Sequence, residues 1–262
     1  MNNNHIHHFS GNSFGPVLLL LLIIALIIYI LAVVISNRRY KRWPLYRTAF
    51  WISGVICIAA AAVGPVANHA DFTAHMLGHL LIGMLAPLLL ALAAPMTLFL
   101  RILNVKFARR LSRILKSLPV KVVSNPAVAS LLNVGGLWVL YTTELYGAMQ
   151  KNMILHVLIH IHVFLAGYLF TISMIYIDPT PHRTSFVYRA IIFVIALAGH
   201  GILSKYIYIH PPSNVPLEQA EIGGMLMYYG GDAVDIIIIF ILCLQWYRAS
   251  RPRTAVHESV SL

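Results

Sequence analysis

The feature that most constrains this chain is a series of long apolar stretches near 16–36, 46–66, 74–100, 127–146, 153–177, 186–209 and 224–247. Each reaches the roughly 20 residues that a helix needs to cross a hydrocarbon core of about 30 Å. In lipid a helix satisfies its own backbone hydrogen bonds, so the expected fold is all-α: a polytopic membrane protein built as a seven-helix transmembrane bundle. Composition agrees, since 59% of residues are hydrophobic and only 10% are charged, which leaves lipid and other apolar helices as the main surroundings. The net charge of +11 does not point to nucleic acid. Its basic residues sit in short connections between apolar runs, whereas a nucleic-acid reader gathers them on one polar face.

An odd number of spans puts the termini on opposite sides. The first run follows the lysine-free segment Met1 to Gly15 and precedes Asn37-Arg38-Arg39-Tyr40-Lys41-Arg42, the charge order of a retained anchor with its amino end outside. On this arrangement 17 of the 19 Lys and Arg residues lie on the inner side, and only Lys151 and Lys205 lie outside. The N-terminus is therefore expected outside and the C-terminus in the cytoplasm, with a polar extracytoplasmic tail over 1–15, a membrane domain over 16–248 and a cytoplasmic tail over 249–262. The longest internal connection, Arg101 to Asn125, is basic; an amphipathic segment on anionic lipid and a solvated stop-transfer loop both fit it. Cys57 and Cys243 each stand alone in an apolar run, which argues against a disulfide framework or a thiolate metal clamp.

Polar groups inside a bilayer are costly, so their placement is the best guide to function. Ten of the thirteen histidines fall toward the outer side: His5, His7, His8, His69, His75, His79, His156, His160, His200 and His210. His182 and His257 are cytoplasmic, and His162 lies on the far side of its helix from His156 and His160. The spacing of His75 and His79 puts two imidazoles one turn apart on one face of the third span, a face that Gly83 and Pro87 continue. The fifth span repeats the device with His156 and His160, on a stripe that also holds Met149, Met153, Gly167, Thr171 and Met174. The seventh span carries Asp232 and Asp235 in its outer half to middle, and His200 lies about ten residues before the outer end of the sixth.

Each feature has a structural competitor. A lone membrane histidine can be a hydrogen-bonded core residue, and methionine at helical spacing is ordinarily packing. Two HxxxH pairs at one depth, with acids on a third helix, favour a metal site. Imidazole with nearby thioether suits copper, Cu(I) in particular, better than Mg²⁺ or Ca²⁺. His75, His79, His156 and His160 are the expected ligands, with His200, Asp232, Asp235, Met153 and Met76 as supporting or transfer groups. Ligand exchange needs no bond chemistry, so an enzyme is not expected. Neither HxxxH pair has the glutamate of an HExxH protease, and no buried lysine offers a Schiff base.

The stretch His75-Met76-Leu77-Gly78-His79-Leu80-Leu81-Ile82-Gly83-Met84-Leu85-Ala86-Pro87-Leu88-Leu89, then Ala94-Pro95, His156 to His162 and Gly199-His200-Gly201, resembles the membrane-embedded cytochrome c oxidase assembly factors of the CtaG type. The resemblance covers roughly residues 45 to 250. An unrelated single-span copper chaperone shares that name, and this sequence does not look like it. The resemblance implies a multi-pass protein of the bacterial plasma membrane that helps copper reach a heme-copper terminal oxidase. Its partners would be an oxidase subunit and an extracytoplasmic copper donor. The competing readings are a copper importer of the copper-resistance type and a b-type heme protein. The second is disfavoured because heme ligands approach from opposite faces of the macrocycle, while His75 and His79 project from one.

Overall fold

Among the described residues six helices are long and apolar enough to cross a membrane, and there is no strand. The structure is a computed structural model that describes residues 14–63 and 71–251. His5, His7, His8, His69 and His257 lie outside the described residues, as does most of both tails. The first two helices are α1 (Phe14–Arg39) and α2 (Leu45–Val63). The run Phe72–Leu92 consists of α3 (Phe72–Leu80), a π-helical segment (Leu81–Leu85) and α4 (Ala86–Leu92). Three short helices follow, α5 (Pro95–Ile102), α6 (Val105–Leu115) and α7 (Leu118–Val123). The run Pro126–Thr142 is α8 (Pro126–Ser130), a second π segment (Leu131–Gly135) and α9 (Gly136–Thr142). After α10 (Leu145–Lys151) come the long helices α11 (Met153–Met174), α12 (Phe186–Ile209) and α13 (Leu217–Ser250).

Where boundaries depart from the sequence reading, local chemistry accounts for it. The third apolar stretch stops at Leu92 because Ala94 turns left-handed (φ 53°) and Pro95, lacking an N–H, starts α5. The seventh helix begins at Leu217 rather than near 224, since Glu218, Gln219 and Glu221 extend it as a polar helical lead. The basic connection from Arg101 to Asn125 is largely helical rather than a loop. The fourth apolar stretch forms only the 17-residue run Pro126–Thr142, shorter than the other six. It nevertheless lies parallel to α12 along its length. The Tyr188 hydroxyl donates to Asn125 Oδ1 (3.1 Å) at one end, Trp138 Nε1 to the Gly199 carbonyl (3.0 Å) in the middle, and Ser213 to the Glu144 carboxylate (2.9 Å) at the other.

Close helix contacts run through glycine. On α13, a Cβ at Gly223 would stand 2.9 Å from the Phe72 ring of α3, and one at Gly224 2.9 Å from the Ser204 carbonyl of α12. A Cβ at Gly167 of α11 would collide with the Gly83 carbonyl in the first π segment. That carbonyl is available because Pro87, four residues on, has no N–H to give it. The helix widens instead, and the Ala86 N–H bonds the Leu81 carbonyl five residues back.

The first helix presents Leu20, Leu21 and Leu31 outward, as a lipid-facing anchor should. It is not featureless, however. Tyr29 is fully buried, stacks on Trp51 with centroids 4.5 Å apart, donates to the Ala93 carbonyl (3.0 Å) and accepts from Trp43 Nε1 (3.2 Å). At the same end of the bundle, Asp178 accepts from the Met96 and Thr97 N–H groups (3.1 and 2.7 Å) and from the Thr97 hydroxyl (2.6 Å), closing the start of α5. Arg189, 1% exposed, is sandwiched between Tyr176 and Phe186 with its guanidinium carbon 4.1 and 4.4 Å from their ring centroids, and it donates to the Met174 carbonyl (2.6 Å).

Candidate functional site

Both histidine pairs sit in the first two turns of a capped helix. Asp71 caps α3 by accepting from the Thr73 N–H (2.9 Å), and Gln219 accepts from the Phe72 N–H (3.0 Å). Asn152 caps α11 through the Ile154 and Leu155 N–H groups (2.9 and 3.2 Å). Capping fixes the helix phase at these ends, and the Gly83–Gly167 approach draws the two helices together. The outcome is contact between the pairs: the His75 and His160 rings lie 5.8 Å apart, nearly perpendicular.

The arrangement is a ladder rather than a square. His156 stacks on His160 with centroids 4.2 Å apart, one turn farther out. His160 Nδ1 lies 2.9 Å from the His156 carbonyl. A carbonyl only accepts, so Nδ1 carries the proton and the ring's lone pair falls on Nε2. His75 Nε2 is 3.1 Å from the Tyr141 hydroxyl, and the Tyr146 ring stands 5.2 Å from the His75 ring. Burial, partly offset by the hydrogen bond from Gln150, pushes the Tyr146 hydroxyl up to about 12, so it is neutral at physiological pH.

One turn deeper, His79 is 5% exposed and its Nε2 has no hydrogen-bond partner among the described residues. It borders two small cavities. The outer, about 10 Å³, is shared with His75, Tyr141 and His160. The inner, about 20 Å³, is shared with Met84, Asn133, His200 and Asp235. His200 is 6% exposed, and its Nε2 is likewise without a partner among the described residues; Asp235 is 4% exposed. Spaces of this size suit a water or a bare ion.

Several residues singled out in the sequence lie off this line. Met76 is buried but turned toward α13, 3.1 Å from where a Gly223 Cβ would be. Met153 is 47% exposed at the start of α11. Asp232 is half-buried, a turn before Asp235. His162, as its phase predicts, faces away, with Nε2 3.1 Å from the Leu132 carbonyl. Among the described residues no group of three or more His, Cys, Asp or Glu is gathered closely enough to hold a metal ion as the side chains stand. Sequence reasoning missed Tyr141, Tyr146 and Asn133, which reach the ladder from α9, α10 and the second π segment. The one signal for the first π segment was Pro87 placed four residues after Gly83.

Uncharacterised proteins of Mycobacterium leprae (26% identity) and of Mycobacterium bovis and Mycobacterium tuberculosis (27% each) are similar to this chain over alignments of 246 residues covering 85% of it. The chain spans 37% of the length of these relatives. No solved structure matches it. A family model described as cytochrome c oxidase caa3 assembly factor (Caa3_CtaG) matches residues 27–249, and the chain accordingly belongs to that family.

Proposed function

We propose that this protein takes up copper as Cu(I) on the histidine ladder and passes it to a subunit of a heme-copper oxidase during assembly. The carrying observation is the convergence of His75, His79 and His160 on one small cavity, with the deepest of them holding a buried, unpartnered Nε2. Unpaired buried nitrogens are costly unless something binds them, and a soft ion with low coordination demand fits a pair of imidazoles better than a hard ion does. Half-buried His156 is the entry point. His160 and His75 are the receiving pair, for which His75 gives up its contact with Tyr141. His200 and Asp235 take the ion or its balancing proton farther in. In this reading the chain crosses a bacterial plasma membrane seven times, with Pro126–Thr142 as the fourth crossing, and the basic end of the bundle is cytoplasmic.

Copper per purified protein tests the binding step. Wild type is expected to hold about one copper, and His75→Ala combined with His160→Ala to lose at least nine-tenths of it, an order-of-magnitude expectation for removing both receiving ligands. No copper in wild type, or an unchanged ratio in the variant, rules the reading out. Membrane-impermeant labelling of cysteines placed at Ser10 and Ser259, with Cys57 and Cys243 replaced, tests the orientation. Only the first should react in sealed cells.

A further inference from the structure

Helix α6 divides its side chains sharply. Phe107, Leu111, Ile114 and Leu115 share one face, and Lys106, Arg109, Arg110, Arg113 and Lys116 cluster on the opposite one. None of its residues is buried; Phe107 is 58% and Ile114 53% exposed. The part of the basic face formed by Arg109, Arg113 and Lys116, with Val105, Ala108 and Ser112 beside it, borders a groove of about 590 Å³ between α6, the end of α5 and the residue that follows α1. Tyr40, Arg101, Arg109, Ser112, Arg113 and Lys116 line it, and no acidic residue does. Arg101 is fixed there, its guanidinium 5.1 Å from the Tyr40 ring centroid and donating to the Lys41 carbonyl (2.5 Å).

We propose that this groove is a binding site for the phosphodiester headgroup of an anionic phospholipid. Tyr40 immediately follows the first apolar helix, so the groove lies at the depth where that helix leaves the hydrocarbon and lipid phosphates begin. The exposed apolar face of α6 lies against the acyl chains, and its guanidinium groups meet the phosphate with paired N–H donors. A volume of this size holds a headgroup and excludes a folded partner. The site stands on the charge and shape of the groove alone and is independent of copper handling.

The test is lipid retention by the full-length purified protein, read by native mass spectrometry during titration with phosphatidylglycerol or phosphatidylcholine. Phosphatidylglycerol should bind more tightly. Arg109→Gln with Arg113→Gln should weaken it at least tenfold, taking about fivefold for each basic group near a lipid surface. Lys106→Gln with Arg110→Gln removes the same charge from the same helix outside the groove and should change affinity less than about threefold, because exposed charges that do not touch the bound headgroup are screened by solvent and salt. Ser112→Phe, which fills the groove and keeps every charge, should reproduce the loss. Equal losses in the two charge pairs, no preference for the anionic lipid, or displacement of the lipid by inorganic phosphate at equal concentration would each overturn the proposal.

Discussion

Buried polar groups meet different surroundings at the two ends of the bundle, rings and hydrogen-bonding partners at one and small cavities at the other. At the basic end, Asp178 accepts three hydrogen bonds, Tyr29 both donates and accepts, and Arg189 lies between two rings with one amino group on a carbonyl, although its Nε, like Arg47 Nε, Trp51 Nε1 and His182 Nε2, has no partner among the described residues. At the histidine end, His79 and His200 each present a buried Nε2 with no partner among the described residues, beside cavities instead of acceptors. A buried polar group with fixed partners holds architecture together, and one without them costs stability until a ligand arrives.

This contrast predicts a graded series in thermal unfolding of the detergent-solubilised protein. The largest loss is expected for Arg189→Ala, about 3 kcal/mol, from a charged hydrogen bond and two ring contacts. Asp178→Ala should cost about 2 kcal/mol, because the N-terminus of α5 loses its acceptor. Tyr29→Phe should cost about 1 kcal/mol and leave the Trp43 indole without its acceptor. His79→Leu and His200→Leu should not destabilise and should gain up to about 1 kcal/mol, since an apolar side chain removes a costly buried nitrogen that had no hydrogen bond at Nε2, while the copper content of His79→Leu falls. A His79→Leu protein as unstable as Arg189→Ala would erase the distinction between the two ends.

Much of this architecture was legible because it depends on local properties. An apolar run long enough to span is a matter of composition, and the i,i+4 spacing of His75–His79 and His156–His160 fixes their faces once each helix is capped. The vertical offset between the pairs was not legible, because it follows from where Gly167 meets Gly83. Nor was the depth of the acids. Counted from Leu217 at 1.5 Å per residue, Asp232 and Asp235 lie about 22 and 27 Å along α13, whereas a start near 224 puts them roughly 10 to 20 Å in. The polar lead that moves this origin joins the fold through Gln219 and the Phe72 N–H, a contact between residues far apart in sequence. Tyr141 and Tyr146 escaped notice for a similar reason: their helices carry no periodic pattern that marks which face turns inward.

The two widened turns have a mechanical meaning. Each inserts one residue relative to a regular α-helix, which rotates everything beyond it by about 100°. A helix so interrupted behaves as two screws of different thread joined end to end. Because Met84 from one widened turn and Asn133 and Val134 from the other line the same inner cavity, the two dislocations lie at one level of the bundle. His79, His200 and Asp235 border that seam, where the histidine half and the basic half of the protein can follow different partners without sharing a register.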